Sequence, residues 1–425
     1  MFNFLATTLI KTLIFDCKCI QLNIVTMRLT SLGLAPSTKT IPLADTAGGI
    51  ELRTLSPVGI TRTELPTNDT DYSFERERAI NKLTPDGLQP VPHDECKAEH
   101  KLTKKLFKKY ASNIFNNAIS FPIAFSEPRS YLERCADLFS FLVTKYIDLA
   151  HNENDKKTKL ALIATGIIAG FHIDLNPKKV FNPYLGETYA GIWSNGTEIF
   201  AEQTSHHPPI SDFLLIGPDN SWRCYAHADF DVDSGMNQVE VKQNGIFKLE
   251  MQDGTNYEWV FPSVVMSGFM KGDKTIKIKG ELNVYDVTNN LICTVEISPK
   301  KNLKRGIEYP QASTIYGGVR ENDRKIKIGN IDYDHIISGD YCYEILYDGE
   351  KIWDISSSYA ERPSKEISES LLLPSDSRFR LDRVLLIQND LVEADKAKNA
   401  LEEIQRREEK LRDSVKKHGY KGSKF

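Results

Sequence analysis

The order of apolar and polar positions divides the chain into a helical, an extended and a second helical region. Between residues 98 and 170 apolar side chains recur every three or four positions, which is typical of helices. Beyond Phe181, short runs rich in aromatic and β-branched residues alternate with turn residues at a spacing of roughly 8–12 positions. After Leu373 the helical period returns. The pattern predicts a β-rich α+β protein with a large antiparallel sheet, either a barrel or a sandwich.

Three dipeptides between the strand-like runs predict tight hairpins, because asparagine or aspartate followed by glycine suits the left-handed backbone of a two-residue turn. They are Asn195–Gly196, Asn244–Gly245 and Asp348–Gly349. A sheet of this length is expected to close around a cavity rather than to fill its interior with side chains.

Residues 98–117 contain a basic amphipathic pattern, KLTKKLFKKYASNIF, in which lysines flank an apolar stripe. The stripe consists of Leu102, Leu106, Tyr110 and Ile114. Two interpretations remain open at this point: a surface helix that packs on the core through the stripe, or a helix that lies on an anionic membrane. Two further helical patterns, SYLERCADLFSFLVTKYIDLA and KLALIATGIIAG, are predicted to be core helices.

The last predicted helix follows Asn389 and has both an apolar stripe and a charged flank. Lys398, Glu402 and Arg406 are spaced by four residues and share one face. An exposed ladder of salt bridges is the simplest interpretation of that spacing. The apolar stripe comprises Leu391, Ala394, Leu401, Ile404, Leu411 and Val415.

Composition restricts the class of protein. The chain has 425 residues, of which 40% are hydrophobic and 26% charged, and this balance is ordinary for a globular protein. A net charge of -4 argues against a nucleic-acid binder. The seven scattered cysteines favour a reducing, cytoplasmic compartment. Residues 1–97 are predicted to be a largely irregular extension; the apolar start MFNFLATTLIKTLIF fits neither a signal peptide nor a membrane span, and translation from Met27 is an equal alternative.

The stretch AEQTSHHPPIS places two histidines directly before two prolines. Pro208 and Pro209 restrict the backbone to extended conformations and so fix both imidazoles. No third ligand lies nearby, so no metal site is predicted. Two interpretations remain: His206 and His207 bond to backbone carbonyls, or they bind an anion such as a phosphate, which favours their charged form.

Four stretches together resemble the oxysterol-binding-protein-related lipid-transfer proteins. EQTSHHPPIS resembles the family signature, and NPKKVFNPYLGETY is similar to its K-P-x-N-P-x-L-G-E segment. ISFPIAFSEPRSYLERCADLF resembles the N-terminal part of the family's domain, and LPSDSRFRLDRVLLIQNDLVEADKAKNALEEIQR resembles its C-terminal part. Val180 departs from the pattern, because the family usually has proline there. The resemblance covers residues 118–425 and implies one lipid-binding domain.

The resemblance implies a large incomplete antiparallel β-barrel around a hydrophobic tunnel, with flanking helices, a C-terminal helical region and an N-terminal lid. In that family the tunnel accepts a sterol or another lipid, and many members alternatively take phosphatidylinositol 4-phosphate. Residues 98–117 lie where the family has its lid. The head-group contacts carry over to Lys179, Asn182, His206, His207, Lys398 and Arg406, with Glu402 orienting the last two.

The expected function is therefore intracellular lipid exchange between membranes by a monomer in peripheral contact with anionic membranes. A lipid-regulated sensor or scaffold without bulk transfer is the alternative. No catalytic motif such as GxSxG or a Walker A loop occurs, so neither an enzyme nor a cofactor is predicted.

Overall fold

The computed structural model describes part of one compact unit, Arg62–Phe425. The described residues are 83–84, 87–88, 123, 126–174, 179–206, 208–235, 237–268, 271–303, 306–308, 310–322, 333–356, 358, 361–363 and 372–417. The predicted lid helix at 98–117, with Leu102, Leu106, Tyr110 and Ile114, lies outside them.

Antiparallel sheet dominates the described part of the chain. Its strands are β1 (Leu83–Thr84), β2 (Gly87–Leu88), β3 (Ser126–Ser130), β4 (Lys179–Phe181), β5 (Thr188–Ile192), β6 (Glu198–Ser205), β7 (Ile210–Ile216), β8 (Trp222–Ser234), β9 (Gln238–Gln243), β10 (Phe247–Met251), β11 (Asn256–Val260), β12 (Ser263–Ser267), β13 (Thr275–Asp286), β14 (Leu291–Ile297), β15 (Thr314–Glu321), β16 (His335–Asp340), β17 (Glu344–Tyr347) and β18 (Glu350–Asp354). The helices are α1 (Tyr131–Leu138), α2 (Ile147–Asn152), α3 (Lys156–Ala169), α4 (Leu381–Ile387) and α5 (Leu391–Lys417), with a π-helical turn at Leu142–Tyr146.

Among the described strands, sixteen belong to one sheet, and β3 and β4 form a separate parallel pair. The main path of the sheet runs from β18 through β13 and β8 to β5, and these two terminal strands do not pair with each other. An antiparallel sheet that curls but leaves two edges unpaired is an incomplete barrel, so the predicted fold class is confirmed. Within the predicted extension, β1 and β2 pair with each other, and β2 meets β13.

Two of the three predicted hairpin turns are confirmed. Gly196, at φ 85°, lies in the turn between β5 and β6. Asp348 and Gly349, at φ 49° and 84°, form the two-residue turn between β17 and β18. Positive φ at both central residues is what the type I′ turn requires.

The prediction of a hairpin at Asn244 and Gly245 is wrong. β9 and β10 do not pair with each other but lie end to end along β8, and β11 and β12 lie end to end along β13. Gly245 therefore lies at the break between β9 and β10, which form one arm of a long hairpin whose other arm consists of β11 and β12. Here glycine provides space rather than a turn, because a Cβ at Gly245 would overlap the main-chain oxygen of His227.

We expect Gly245→Ala to lower the free energy of unfolding by about 3 kcal/mol, because the new methyl group has no room beside backbone atoms. Urea denaturation measures the change. Gly235→Ala is the control, since a Cβ at Gly235 makes only ordinary contact with Gln238. Its effect is expected within about 0.5 kcal/mol. Equal effects of the two variants would contradict the steric explanation.

The predicted core helices pack against the sheet. Asp155 caps α3 by accepting a hydrogen bond from the Thr158 amide at 2.8 Å. Most of α3 is buried, and it contacts β13–β15, β17 and β18. A helix that is apolar on all sides is expected to be buried in this way. Aromatic rings extend the core between α1 and the sheet, where Phe139 contacts Phe213 and Phe247.

α5 is confirmed over 27 residues, but its apolar stripe is mostly exposed. Ala394 is fully buried, whereas Ile404 and Leu411 are 41% and 61% exposed. The described domain therefore packs mainly against the first turns of α5, which contact α4.

Candidate functional site

The segment between β4 and β5 is held by its main chain and presents Asn182 to solvent. Phe181 is buried and packs with Ile123 and with Ala394 of α5. The Asn182 side chain is exposed, while its carbonyl accepts a hydrogen bond of 2.9 Å from Arg380 Nη1. Because a backbone contact fixes this segment, the side-chain amide of Asn182 remains available to a ligand.

Glu187 closes the same segment from inside the domain. Its carboxylate accepts hydrogen bonds from the Tyr184 amide at 3.1 Å, from Arg380 at 2.9 Å and from the Ser130 hydroxyl. Burial raises the pKa of Glu187, although the charge of Arg380 and the hydrogen bonds oppose this shift. Glu187 thus joins the 181–187 segment to the beginning of α1.

The end of β6 lies beside this segment. Gln203 exchanges main-chain hydrogen bonds with Gly186 and Glu187, at 2.8 and 2.9 Å. The Gln203 side chain also binds the Ser205 carbonyl and the Ser211 hydroxyl, which ties the turn to β7. His206 follows in that turn and is half-buried, and Pro208 and Pro209 are exposed.

The third part of the site is the charged flank of α5. Lys398 Nζ lies 2.6 Å from Glu402 Oε1, and Arg406 Nη1 lies 3.7 Å from Glu402 Oε2. The salt-bridge ladder is therefore present, but the side chains of Lys398 and Glu402 are only 12% and 22% exposed. Burial raises the pKa of Tyr184, and the charge of Glu402 adds to the increase, so Glu402 of α5 lies within electrostatic range of the 181–187 segment.

The structure thus brings three of the predicted segments to one region of the domain: 179–187, 203–206 and 398–406. The main chain of Lys179 lies in β4, paired with Ser126, but its side chain lies outside the described atoms. His207 lies outside the described residues. Whether these side chains bind a head group stays a prediction.

A buried ionic network connects the N-terminal and C-terminal parts of the domain, and sequence analysis did not predict it. Glu133, 4% exposed, accepts hydrogen bonds from the Ser130 amide, the Ser377 hydroxyl and Arg383 Nη2, at 3.2, 2.9 and 3.1 Å. The available signal was the density of charged residues in the stretches EPRSYLERCAD and SDSRFRLDR. The other buried members include Glu127, Arg134, Asp137, Asp376, Arg378, Arg380 and Asp382.

Over the described ranges, the structure contains no cluster of three histidine, cysteine, aspartate or glutamate side chains suited to a metal ion. The helices in those ranges are all too short or too polar to cross a membrane.

Solved structures share this fold. The Osh3 ORD from Saccharomyces cerevisiae, in complex with PI(4)P, aligns with a TM-score of 0.58 and 18% identity over 72% of this chain and 84% of its own. The Osh1 ORD domain in complex with ergosterol aligns with the same TM-score and 17% identity, over 77% of this chain and 91% of its own. The architecture is therefore that of an ORD.

Sequence comparison identifies the family. The family model for oxysterol-binding protein matches residues 115–331 and 348–425. Oxysterol-binding protein 9 of Dictyostelium discoideum is 30% identical over 345 residues, which cover 77% of this chain and 79% of that protein. Oxysterol-binding protein-related protein 3C of Arabidopsis thaliana is 25% identical over 76% of this chain and 71% of its own. The chain belongs to the oxysterol-binding protein family.

Proposed function

We propose that this protein binds one lipid, a sterol or phosphatidylinositol 4-phosphate, inside the barrel and exchanges it between membranes. The observation that carries the proposal is the convergence of the 179–187, 203–206 and 398–406 segments in a family member whose structural neighbours hold PI(4)P, ergosterol and cholesterol. Exchange requires no covalent step and no cofactor. It requires an apolar enclosure for the lipid tail and a polar region for the head group.

The head-group assignment follows from the charge of an inositol phosphate. Several dispersed cationic or amide donors suit a phosphate better than one charge does. Asn182 provides an amide, and His206 a ring that a nearby anion would keep protonated. Glu402 contacts both Lys398 and Arg406, so it would hold the two cations in place for the phosphate. Lys179 and His207 complete the proposed set.

The lid and the membrane contact belong to the same proposal. Residues 98–117 have a basic apolar pattern suited to covering an apolar opening and to contacting an anionic membrane. The protein would then act in the cytoplasm as a monomer that binds membranes peripherally.

Transfer between two liposome populations tests the proposal. Donor liposomes contain phosphatidylinositol 4-phosphate, acceptors contain a sterol, and the protein is present at a small fraction of the lipid concentration. We expect each protein molecule to move many lipids, because an exchanger returns to the donor membrane after unloading and carries lipid repeatedly. Movement limited to one lipid per protein would instead indicate a sensor or scaffold, and no binding of either lipid would reject the proposal.

A further inference from the structure

Arg380 lies between two parts of the candidate site, the 181–187 segment and the helical region that leads into α5. It lies directly before α4 and is 8% exposed. Toward the 181–187 segment, its Nη1 donates to the Asn182 carbonyl and to Glu187 Oε2, both at 2.9 Å. Toward the helices, Nε and Nη2 bind both oxygens of Asp382 in the first turn of α4, at 3.1 and 2.8 Å. One guanidinium therefore connects the loop that carries Asn182 to the helix that leads into α5.

Ring contacts add to this connection. The guanidinium carbon of Arg380 lies 4.6 Å from the ring centre of Phe181 and 4.4 Å from that of Tyr184. Both rings belong to the 181–187 segment, so the cation fixes this segment at its carbonyl, its carboxylate and its aromatic faces. A planar group with five donors makes all these contacts together, whereas a lysine ammonium cannot reproduce the forked geometry.

The connection continues into the charged flank of α5. α4 packs against α5, and the amide of Asp390 donates to the Leu385 carbonyl at 3.0 Å between them. Ala394, one turn before Lys398, packs on Phe181. A shift of Arg380 would therefore move the 181–187 segment relative to Lys398 and Glu402.

We propose that Arg380 is a positioning residue for head-group recognition. It holds the 181–187 segment, which carries Asn182, and α5 at the separation that a phosphoinositide head group requires. The inference rests on the proposed function. Arg380 does not contact the lipid. It acts through the Asn182 carbonyl, Glu187 and Asp382, so its loss should weaken the binding of a phosphorylated head group more than that of a sterol.

Arg378 offers a matched control. It is 5% exposed, binds both oxygens of Asp376 at 2.7 and 2.8 Å, donates to the Ala190 carbonyl and lies 4.9 Å from the ring centre of Tyr189. These interactions match those of Arg380 in kind, but they hold β5 instead of the Asn182 segment. A purely structural role would give both arginines the same effect on lipid selectivity.

The test measures dissociation constants of the full chain for phosphatidylinositol 4-phosphate in vesicles and for a fluorescent sterol. Arg380→Lys should weaken phosphoinositide binding about tenfold, as expected if the displaced 181–187 segment loses one hydrogen bond to the phosphate, and change sterol binding less than about twofold. Arg380→Gln should weaken it further. Arg378→Lys should leave the ratio of the two affinities unchanged. If Arg380→Lys fails to fold, Asp382→Asn replaces it, because it removes the carboxylate that Arg380 binds on α4 and leaves the hydrogen bonds of Arg380 to the Asn182 carbonyl and Glu187 in place.

The outcomes separate the inference from the proposed function. An unchanged affinity ratio in Arg380→Lys, or an equal change in Arg378→Lys, overturns the positioning role while lipid binding by the wild type stands. A wild-type chain that binds no phosphoinositide overturns the proposed function, and the positioning role with it.

Discussion

The double substitution His206→Ala, His207→Ala should abolish measurable transfer of phosphatidylinositol 4-phosphate. Each imidazole is proposed to donate a charge-assisted hydrogen bond to the head group, and each such bond contributes about 1.5–3 kcal/mol. Loss of both should therefore lower the affinity about hundredfold or more. Transfer of fluorescently reported lipid between liposomes measures the effect.

A second histidine pair provides the control for general loss of stability or charge. His151 is exposed at the end of α2, and His335, the first residue of β16, pairs with Asp348. His151→Ala, His335→Ala should transfer lipid at the wild-type rate. If the His206 and His207 variant also transfers at that rate, the two histidines are structural, and the phosphate must be bound elsewhere.

Glu133→Ala should lower the free energy of unfolding by about 3–5 kcal/mol, because it leaves the partly buried, cationic Arg383 without its carboxylate partner and removes one of the two carboxylates beside Arg129. Arg383 Nη2 lies 3.1 Å from Glu133 Oε2, and its side chain is 14% exposed. Urea unfolding measures the loss. Glu393→Ala is the control, because Glu393 is an exposed partner of Lys396 and should change stability by less than about 1 kcal/mol.

Glu133 should also make the stability of the fold depend on pH. Burial alone would raise the pKa of Glu133, but the charges of Arg383 and Arg129 and the hydrogen bonds lower it below the usual 4.5. A lowered pKa in the folded state means that ionised Glu133 stabilises the fold above pH 4.5, and that this contribution is lost as the pH falls. Glu133→Ala should therefore lose less stability than the wild type on acidification. An identical acid dependence in the two proteins would contradict the ion-pair assignment.

Local patterns predicted most elements of the fold, whereas long-range pairing decided the rest. Gly349 follows a residue with positive φ in a two-residue turn, so the local dipeptide rule applies to it. Gly245 has the same local sequence type, but β8 is long enough to pair with both β9 and β10. The dipeptide became a break between two collinear strands, which no local rule could predict.

The site was only partly predictable for a similar reason. The four-residue spacing of Lys398, Glu402 and Arg406 identified a shared face, and the structure has the resulting ion pairs. Arg380 was not identified, because charged residues are normally exposed. Its partners Asn182 and Glu187 precede it by 198 and 193 residues, a separation at which spacing carries no information.

The buried ionic network can form only late in protein synthesis, because its partners lie far apart in the sequence. Glu133 pairs with Arg383 across 250 residues and with Ser377 across 244. A ribosome adding about 5–20 residues per second needs roughly 12–50 s to make this intervening chain. Throughout that time the nascent chain exposes charged groups on α1 and apolar strand edges that have not received their partners. The domain should therefore depend on chaperones until its last residues emerge, and a premature stop before Ser377 should yield an aggregating product rather than a smaller domain.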